Sequence, residues 1–594
     1  LIFDILYRNQ NVSIQLNNHN AGRYKIKNGV KQGDALSCIL FILGIEPLIK
    51  NISLDPNITE ITLDNITIPK IISYADDVAC IIRPYGQDMQ LIFDHYQLLT
   101  ESSGLKLNAD KTEIITTLNN GAHFNIKYCD KTYDITPLED IKVNGLQIGF
   151  DIDKVRTKNF KKVLNSVERQ FAAWSNRYLS LLAKILIFKT YGLSQILFVA
   201  STTVFTKSQE SQLNNLIYKF LWNRDMTRNK APDRIKRSIL LSEIKSLGFG
   251  MIDFRDIIDS LRIRTVLRLL EKDNSHPMHM ILDNSTSNSV VNLKVTKPIR
   301  PSLDKAILQI NKIWGNSIHL CPDTVPECMK EILLNEFIGN LVCNRFKKQR
   351  LVVKHKHDTL YELLMTDKNH PVLHKIERRF KRMINLVSPS VDQVNPNKIK
   401  LIYFPDGNKI SPIHKISSKS IRHQLKQTNI PEPKMIPNPE PVKLKRLGNL
   451  INRLTNTKLK TILLRSIHGD IYCGTRLKKF GLAETDGCPR CQLPETIDHQ
   501  LYSCSYTKLL WELTSKVTSI PTSNLSQILG YDDLHDRTTL TLHAELLSRL
   551  LSIERPKQEP KTLLKSAITK LSIVEKNITK HQIRQMLKIL DRVT

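Results

Sequence analysis

No run in this 594-residue sequence is both apolar and uncharged over the roughly 20 residues that a membrane-spanning helix needs. The expectation is therefore a protein without a membrane partner. No signal peptide stands at its start, although a missing upstream segment could carry one. There is no internal repeat. Cysteine is sparse, ten residues in all, and only one group of them has ligand spacing, so a disulfide framework is not expected. Acidic residues are outnumbered, 57 against 87 lysines and arginines, for a net charge of +30. The imbalance is uneven. Residues 1–150 hold 13 basic and 17 acidic residues, leaving 74 against 40 in the remainder. A slightly acidic head followed by a strongly basic body suits a protein that grips a phosphate backbone.

What is present is concentrated first at Ile71-Ile72-Ser73-Tyr74-Ala75-Asp76-Asp77-Val78-Ala79-Cys80-Ile81-Ile82. Two adjacent aspartates lie between short apolar, β-branched runs, which reads as a strand, a tight turn and a returning strand. The turn would lift both carboxylates to the tip of a hairpin. Held side by side they repel unless a cation lies between them, and hard oxygen ligands suit Mg²⁺. Phosphoryl-transfer enzymes use such a site to activate the attacking oxygen and stabilise the leaving one. Alone, an Asp-Asp pair is more often an ordinary polar turn.

Two flanking segments tip the balance. Upstream, Asn28-Gly29-Val30-Lys31-Gln32-Gly33-Asp34-Ala35-Leu36-Ser37 precedes an apolar, helix-like run from Cys38 to Leu43, for which Ser37 or Asp34 could serve as cap. Downstream, Ser103-Gly104-Leu105-Lys106-Leu107-Asn108-Ala109-Asp110-Lys111-Thr112-Glu113 follows an amphipathic stretch from Met89 to Leu99 and precedes a strand-like run, Ile114 to Leu118. In this order the three segments resemble the palm of a reverse transcriptase, most closely the non-LTR (LINE-type) retrotransposon class. Gly29 to Ser37 is similar to that family's GVxQGDxLS block, Tyr74 to Asp77 to its YADD box, and Gly104-Leu105 with Asn108 and Lys111 to its GLxxNxxKT block. Lys142-Val143-Asn144-Gly145-Leu146 stands where the family has its primer-grip turn, keeping only the glycine; Ala35 and Cys38 replace prolines common in the QGD block. Trp174-x-x-Arg177-x-Leu179-Ser180-Leu181 opens a stretch that resembles the family's thumb. There Leu179, Leu182, Leu186, Leu193 and Leu197 would form an apolar face, with Lys184 and Lys189 on a basic side. Phe220 to Asn223 and Leu247 to Gly250 are similar to later landmarks.

The resemblance implies an RNA-directed DNA polymerase working on an RNA template and a DNA primer, with dNTPs as substrates and a nuclear site of action after a cytoplasmic ribonucleoprotein stage. Asp76 and Asp77 would be catalytic and hold two Mg²⁺ ions. Gln32 and Gly33 would place nucleotide and template, Tyr74 would pack by the primer end, and Lys111 would lie near the leaving phosphates. The family's third aspartate lies well upstream of the QGD block. Asp4 is too close to Gly29 to fill that role, so the expectation is a chain truncated just after it, lacking fingers and any preceding endonuclease. A catalytically inactive relic, at most a basic nucleic-acid-binding protein with a zinc knuckle, is the alternative. A group II intron maturase shares YADD, but its QG block usually continues with glycine where Asp34 stands here.

A second constellation is Cys488-Pro489-Arg490-Cys491 with His499 and Cys504, a C-x2-C-x7-H-x4-C pattern. Three thiolates and an imidazole complete a closed tetrahedral Zn²⁺ site, structural because no position is left open. Cys473 reads as a spare thiol. The family has a similar motif near its C-terminus, which implies a part in binding template RNA or target DNA. No Pro-Asp follows in 505–594, which disfavours a restriction-like nuclease there.

The expected fold is α+β. A palm over 1–150 leads to a mainly helical thumb and extension over 151–273, then to a basic mixed region of unknown role over 274–430. Five prolines in Pro431 to Pro441 read as a stiff linker, and a C-terminal region over 442–594 carries the zinc motif. Basic clusters at Arg224–Arg237, Arg345–Lys356 and Lys375–Arg382 are candidate nucleic-acid contacts.

Overall fold

The computed structural model describes residues 11–26, 36–63, 66–83, 85–118, 123–222, 233–270, 286–289, 292–295, 301–314, 319–320, 402–406, 409–412, 416–425, 432–532, 535–552, 556–575 and 577–593. Up to residue 149 these residues are α+β. Two helices, Ser37–Leu54 and Gly86–Ser103, pack among antiparallel hairpins, each of which is a separate two-stranded sheet among the described residues. The first core joins Ile45, Leu48 and Ile52 of one helix to Ile92 and Leu99 of the other and to Ile71 of the strand Ile71–Tyr74. A second joins Met89 and Phe93 to Phe124, Ile126 and Tyr128 of the strand Phe124–Tyr128. Gly104, at φ +76°, ends the Gly86–Ser103 helix in the left-handed conformation that glycine adopts without penalty.

Three local expectations are corrected here. The run Ile114 to Leu118 is not a strand, and its link to the hairpins is Leu138 N–H donating to the Ile114 carbonyl at 2.8 Å. Ser37 starts its helix behind Leu36, and no side-chain cap is made. Two helical stretches, Ser37–Leu54 and Leu181–Thr202, are long and apolar enough to cross a membrane by length and composition, against the expectation that none would be. The second is half buried in the protein's own core, whereas the first leaves Ile39, Ile42 and Leu43 more than half exposed.

Beyond residue 151 the fold is helical. Asp151 accepts from the N–H groups of Asp153 and Lys154 and so caps Ile152–Ser175. Helix Leu181–Ile187 runs through a π-turn, Phe188–Gly192, into Leu193–Thr202. The π-turn closes on a small residue: a Cβ at Gly192 would lie 2.9 Å from Phe188 Cδ2. One continuous core contains Val167, Phe171, Ile185, Ile196 and Phe220 from this part together with Leu447, Leu463, Trp511, Leu546 and Ile568 from far along the chain. Polar ties cross the same boundary. Leu182 N–H donates to Thr461 Oγ1 at 3.4 Å, His468 Nε2 meets the Leu247 carbonyl at 2.7 Å, and Asp470 pairs with both Arg234 and Arg465. The proline-rich stretch expected to be a stiff linker takes part in this packing. Ile436 is buried, Met435 N–H donates to the Ile467 carbonyl, and Glu440 N–H donates to Tyr531 Oη.

Lys184 departs from the expected basic side. It is 3% exposed, and its ammonium donates to the carbonyls of Phe220 and Leu221 at the end of helix Lys207–Trp222. Those carbonyls carry the negative end of the helix dipole, which welcomes a cation. Burial nevertheless lowers its pKa to about 8. Because the folded value lies below the unfolded one, the unfolded chain binds the extra proton between pH 8 and the ordinary lysine value of 10.5. Stability is therefore expected to rise with pH across that window, by on the order of 3 kcal/mol. Denaturant midpoints measured below and above the window check this, and Lys184→Met should remove the rise.

Two helical glycines are expected to respond with opposite sign. At Gly448 an added Cβ would stand 2.1 Å from the Lys245 carbonyl oxygen, a backbone atom in the Ile244–Ser246 turn. Gly448→Ala should cost about 1–3 kcal/mol through overpacking. Gly44 has nothing within 4 Å of its Cβ position. Gly44→Ala should gain up to about 1 kcal/mol from helix propensity alone. Melting temperatures of the two variants read the difference directly.

Candidate active site and metal centre

The aspartate pair sits where its flanking residues place it. Ile71–Tyr74 pairs antiparallel with Asp77–Cys80, in register Ile71 to Cys80 and Tyr74 to Asp77, so Ala75 and Asp76 form a two-residue turn. Ile71 anchors the base in the core, and Ile81 N–H donates to the Lys70 carbonyl at 2.8 Å. Lys70 is itself buried, donating to the Asp55 carbonyl at 2.7 Å. Ala75 takes φ +53°, a left-handed conformation that costs a non-glycine residue roughly 1–2 kcal/mol. Strain of this kind persists where surrounding structure enforces it, commonly at functional sites.

Asp76 and Asp77 are exposed at the tip, and neither forms an ion pair with a described residue. Two anionic oxygen donors on consecutive residues, without a protein cation, fit a hard divalent cation. Among the described residues no third His, Cys, Asp or Glu closes on them. Tyr74 shares the tip and is 73% exposed. Lys111 lies apart, exposed at the end of the short turn Ala109–Lys111, with no side-chain bond to any described residue. That loop is pinned by Tyr128, whose hydroxyl accepts from Leu107 N–H at 2.9 Å and meets Thr100 Oγ1 at 2.8 Å. Gln32 and Gly33 lie outside the described residues. The Asn144-Gly145 turn joins Asp140–Val143 to Leu146–Gly149 with φ of +48° and +80°, the pattern favoured in two-residue hairpins, and Lys162 donates to the Gly145 carbonyl.

The C-terminal donors do converge. Cys488, Cys491, His499 and Cys504 place one ligand atom each within 4.8 Å of one another. The Sγ atoms of Cys488 and Cys491 each lie 4.0 Å from that of Cys504, and His499 Nε2 lies 3.1 Å from Cys491 Sγ. Tetrahedral Zn²⁺ with Zn–S bonds near 2.3 Å requires S···S edges of about 3.8 Å. A disulfide needs sulfurs roughly half that distance apart. Local backbone bonding builds the cluster. Cys488 N–H donates to the Leu493 carbonyl at 2.7 Å, Gln492 N–H returns to the Cys488 carbonyl, and Gln492 turns at φ +59°. A π-turn, His499–Ser503, then brings Cys504 back beneath His499. Burial alone would raise the Cys488 pKa. The N–H groups of Arg490 and Cys491 and the neighbouring thiols outweigh it and bring that pKa below its usual value, toward the thiolate a metal needs. Burial and the neighbouring thiolates push Cys504 the other way. Three sulfurs gathered this closely therefore repel as anions unless a cation joins them.

Cys473 is buried near this loop, bonded to Thr475 Oγ1, and stands outside the cluster. Glu495 was not singled out by spacing. Its buried carboxylate accepts from Gly474 N–H at 2.9 Å, and its carbonyl accepts from Thr475 N–H, which ties the segment before the cluster to the loop between its ligands. A carboxylate used as a backbone acceptor carries no periodic signal. Of the three basic clusters, Arg345–Lys356 and Lys375–Arg382 lie outside the described residues. In the first, Arg234 and Arg237 are paired with Asp470 and Asp233.

Residues 2–165 match the family model of reverse transcriptase (RNA-dependent DNA polymerase), a span that contains both the aspartate hairpin and the Lys111 loop. Residues 442–511 match that of zinc-binding in reverse transcriptase, which contains all four ligands of the sulfur cluster. The chain thus carries a reverse transcriptase domain, an RNA-directed DNA polymerase acting on a nucleic-acid template with dNTPs, together with the zinc-binding region of reverse transcriptases.

Proposed function

We propose that this chain is the polymerase part of a non-LTR (LINE-type) retrotransposon and copies element RNA from a 3′ hydroxyl at a nicked chromosomal target, acting in the nucleus. The observation that carries the reading is the strained hairpin tip of Tyr74, Ala75, Asp76 and Asp77 in the same chain as a Cys₃His cluster whose flanking helices share a core with Phe160 to Leu221 and Ile235 to Ile258. On this reading, residues 1–150 are the palm and 151–273 the thumb with its extension.

Asp76 and Asp77 would hold Mg²⁺, with a further carboxylate supplied from beyond the described residues. Bound there, Mg²⁺ favours the deprotonated primer hydroxyl and neutralises charge on the departing pyrophosphate. The primer 3′ oxygen forms a bond to the α-phosphorus of the dNTP as the bond to the β-phosphate oxygen breaks. Tyr74 offers an exposed ring against which the primer end packs, Lys111 offers a cation to the leaving phosphates, and Gln32 and Gly33 position the nucleotide and template.

A nicked duplex incubated with the chain, dNTPs, Mg²⁺ and an RNA that does not anneal to the nick tests this. Extension from the nick by copying the RNA is expected. Extension that requires a pre-annealed primer would leave an RNA-directed polymerase and remove the target-primed reading. No extension on either substrate would favour the inactive relic.

A further inference from the structure

A cleft of about 280 Å³ lies between segments that are distant in sequence: the Ile244–Ser246 turn, the irregular stretch before helix Phe254–Leu270, and helix Ser418–Leu425. Its position is fixed from below. Ile416 and Ile421 are buried, and Arg264 Nη1 donates to the Ile416 carbonyl at 2.6 Å, which seats the short helix against Phe254–Leu270. Lys419 and Arg422 are then left to line the cleft opposite Lys245.

These three cations have no ion pair or hydrogen bond from their side chains to any described residue. The contrast within the same body is plain. Arg234, Arg237, Arg255, Arg262 and Arg465 each pair with an aspartate. The lining also holds a fourth cation, Lys189, and three carboxylates: Asp253, which Arg255 engages through two nitrogens, Asp256, and the exposed Glu243. Like charges brought together around one concavity repel, and an anion that enters it removes that repulsion.

We propose that this cleft binds the phosphodiester backbone of a single-stranded nucleic acid, RNA in the first instance, with Lys245, Lys419 and Arg422 each taking a phosphate contact. The assignment rests on the chain's being a nucleic-acid polymerase. It adds a contact remote in sequence from the aspartate hairpin and formed only when residues 418–425 pack on the helical body.

Salt dependence is the test. Each neutralised phosphate of a single strand adds about 0.7 to the slope of log K against log salt. The full chain and Lys245→Gln/Lys419→Gln/Arg422→Gln are compared by anisotropy with a labelled single-stranded RNA and the same DNA sequence. The triple variant should lower the RNA slope by about two, and Lys245→Arg/Lys419→Arg should keep it. A slope unchanged in the triple variant overturns the proposal. So does an equal fall in Lys516→Gln/Lys570→Gln/Lys588→Gln, three exposed lysines elsewhere, because the effect would then be general charge. A fall for DNA but not for RNA overturns the choice of strand. Millimolar inorganic phosphate at matched ionic strength should leave RNA bound; displacement from the wild type alone would make the cleft a free-phosphate site. Primer extension run alongside keeps the readings separate. A chain that fails to extend yet shows the slope difference retains the cleft as a nucleic-acid site and is not an active polymerase.

Discussion

Primer extension on an RNA template is expected to fall by about three orders of magnitude or more in Asp76→Ala/Asp77→Ala, since a lost metal ligand forfeits several kcal/mol of charge stabilisation and each 1.4 kcal/mol is tenfold in rate. The same change should leave the fold intact. Both side chains are exposed at a hairpin tip and neither is paired with a described cation, so the substitution belongs with surface changes worth within about 0.5 kcal/mol. Removing two adjacent like charges from one turn favours a small gain. Nucleic-acid affinity should also hold, because the basic excess lies beyond residue 150. Activity, melting temperature and RNA affinity are thus expected to separate cleanly. Undiminished extension in the double variant would show that the carboxylates are not catalytic. A wild-type chain that binds primer–template yet does not extend it would show that the third carboxylate is not supplied.

The hairpin and the metal cluster were both legible because their signals are local. Apolar residues around Asp76-Asp77 fix a strand, a two-residue turn and a strand within ten residues, and the strand period leaves little freedom. The Cys488–Cys504 spacing encodes the cluster because a C-x2-C turn and a short return segment position their own ligands. What was not legible depends on distance or on phase. Lys184 falls on the polar side of an ideal helix drawn through Leu182, Leu186 and Leu193. In the structure Leu181, Leu182, Lys184, Ile185, Ile187 and Phe188 are all buried, Leu186 is 55% exposed, and the Phe188–Gly192 π-turn resets the phase before Leu193. A pattern with an inserted residue has no single period to read. The core shared by Ile185 and Leu463 was equally hidden, since nothing local says that residues some 280 apart will meet. Proline composition at 431–441 suggested a stiff spacer, but rigidity does not prevent one apolar side chain, Ile436, from being buried.

Stripping zinc is expected to lower the stability of the whole helical body, not of the knuckle alone. Cys504 is the residue before helix Ser505–Thr518. Three residues upstream, the Leu501 carbonyl accepts from Trp511 Nε1 at 2.7 Å. Leu501, Leu510 and Trp511 are fully buried in the same core as Leu463, Ile185 and Phe220. Without the cation, the sulfurs of Cys488 and Cys491 are each held 4.0 Å from that of Cys504 with like charge developing on them, and the metal link between His499 and Cys504 across the π-turn is lost. Structural zinc in isolated finger peptides supplies about 10–16 kcal/mol of apparent binding energy. Even a modest share of that would exceed most single core substitutions, which cost about 2–5 kcal/mol. Metal analysis should find one zinc per chain in the wild type and in Cys473→Ser, and none in Cys491→Ser. Chelated wild type and Cys491→Ser should melt earlier in a single transition that includes the helices Ile152–Ser175 to Lys207–Trp222, followed by tryptophan fluorescence, to which Trp174, Trp222 and Trp511 of the shared core contribute. An unchanged main transition, with only a minor early phase, would mean that the metal stabilises the knuckle locally and that the shared core holds without it.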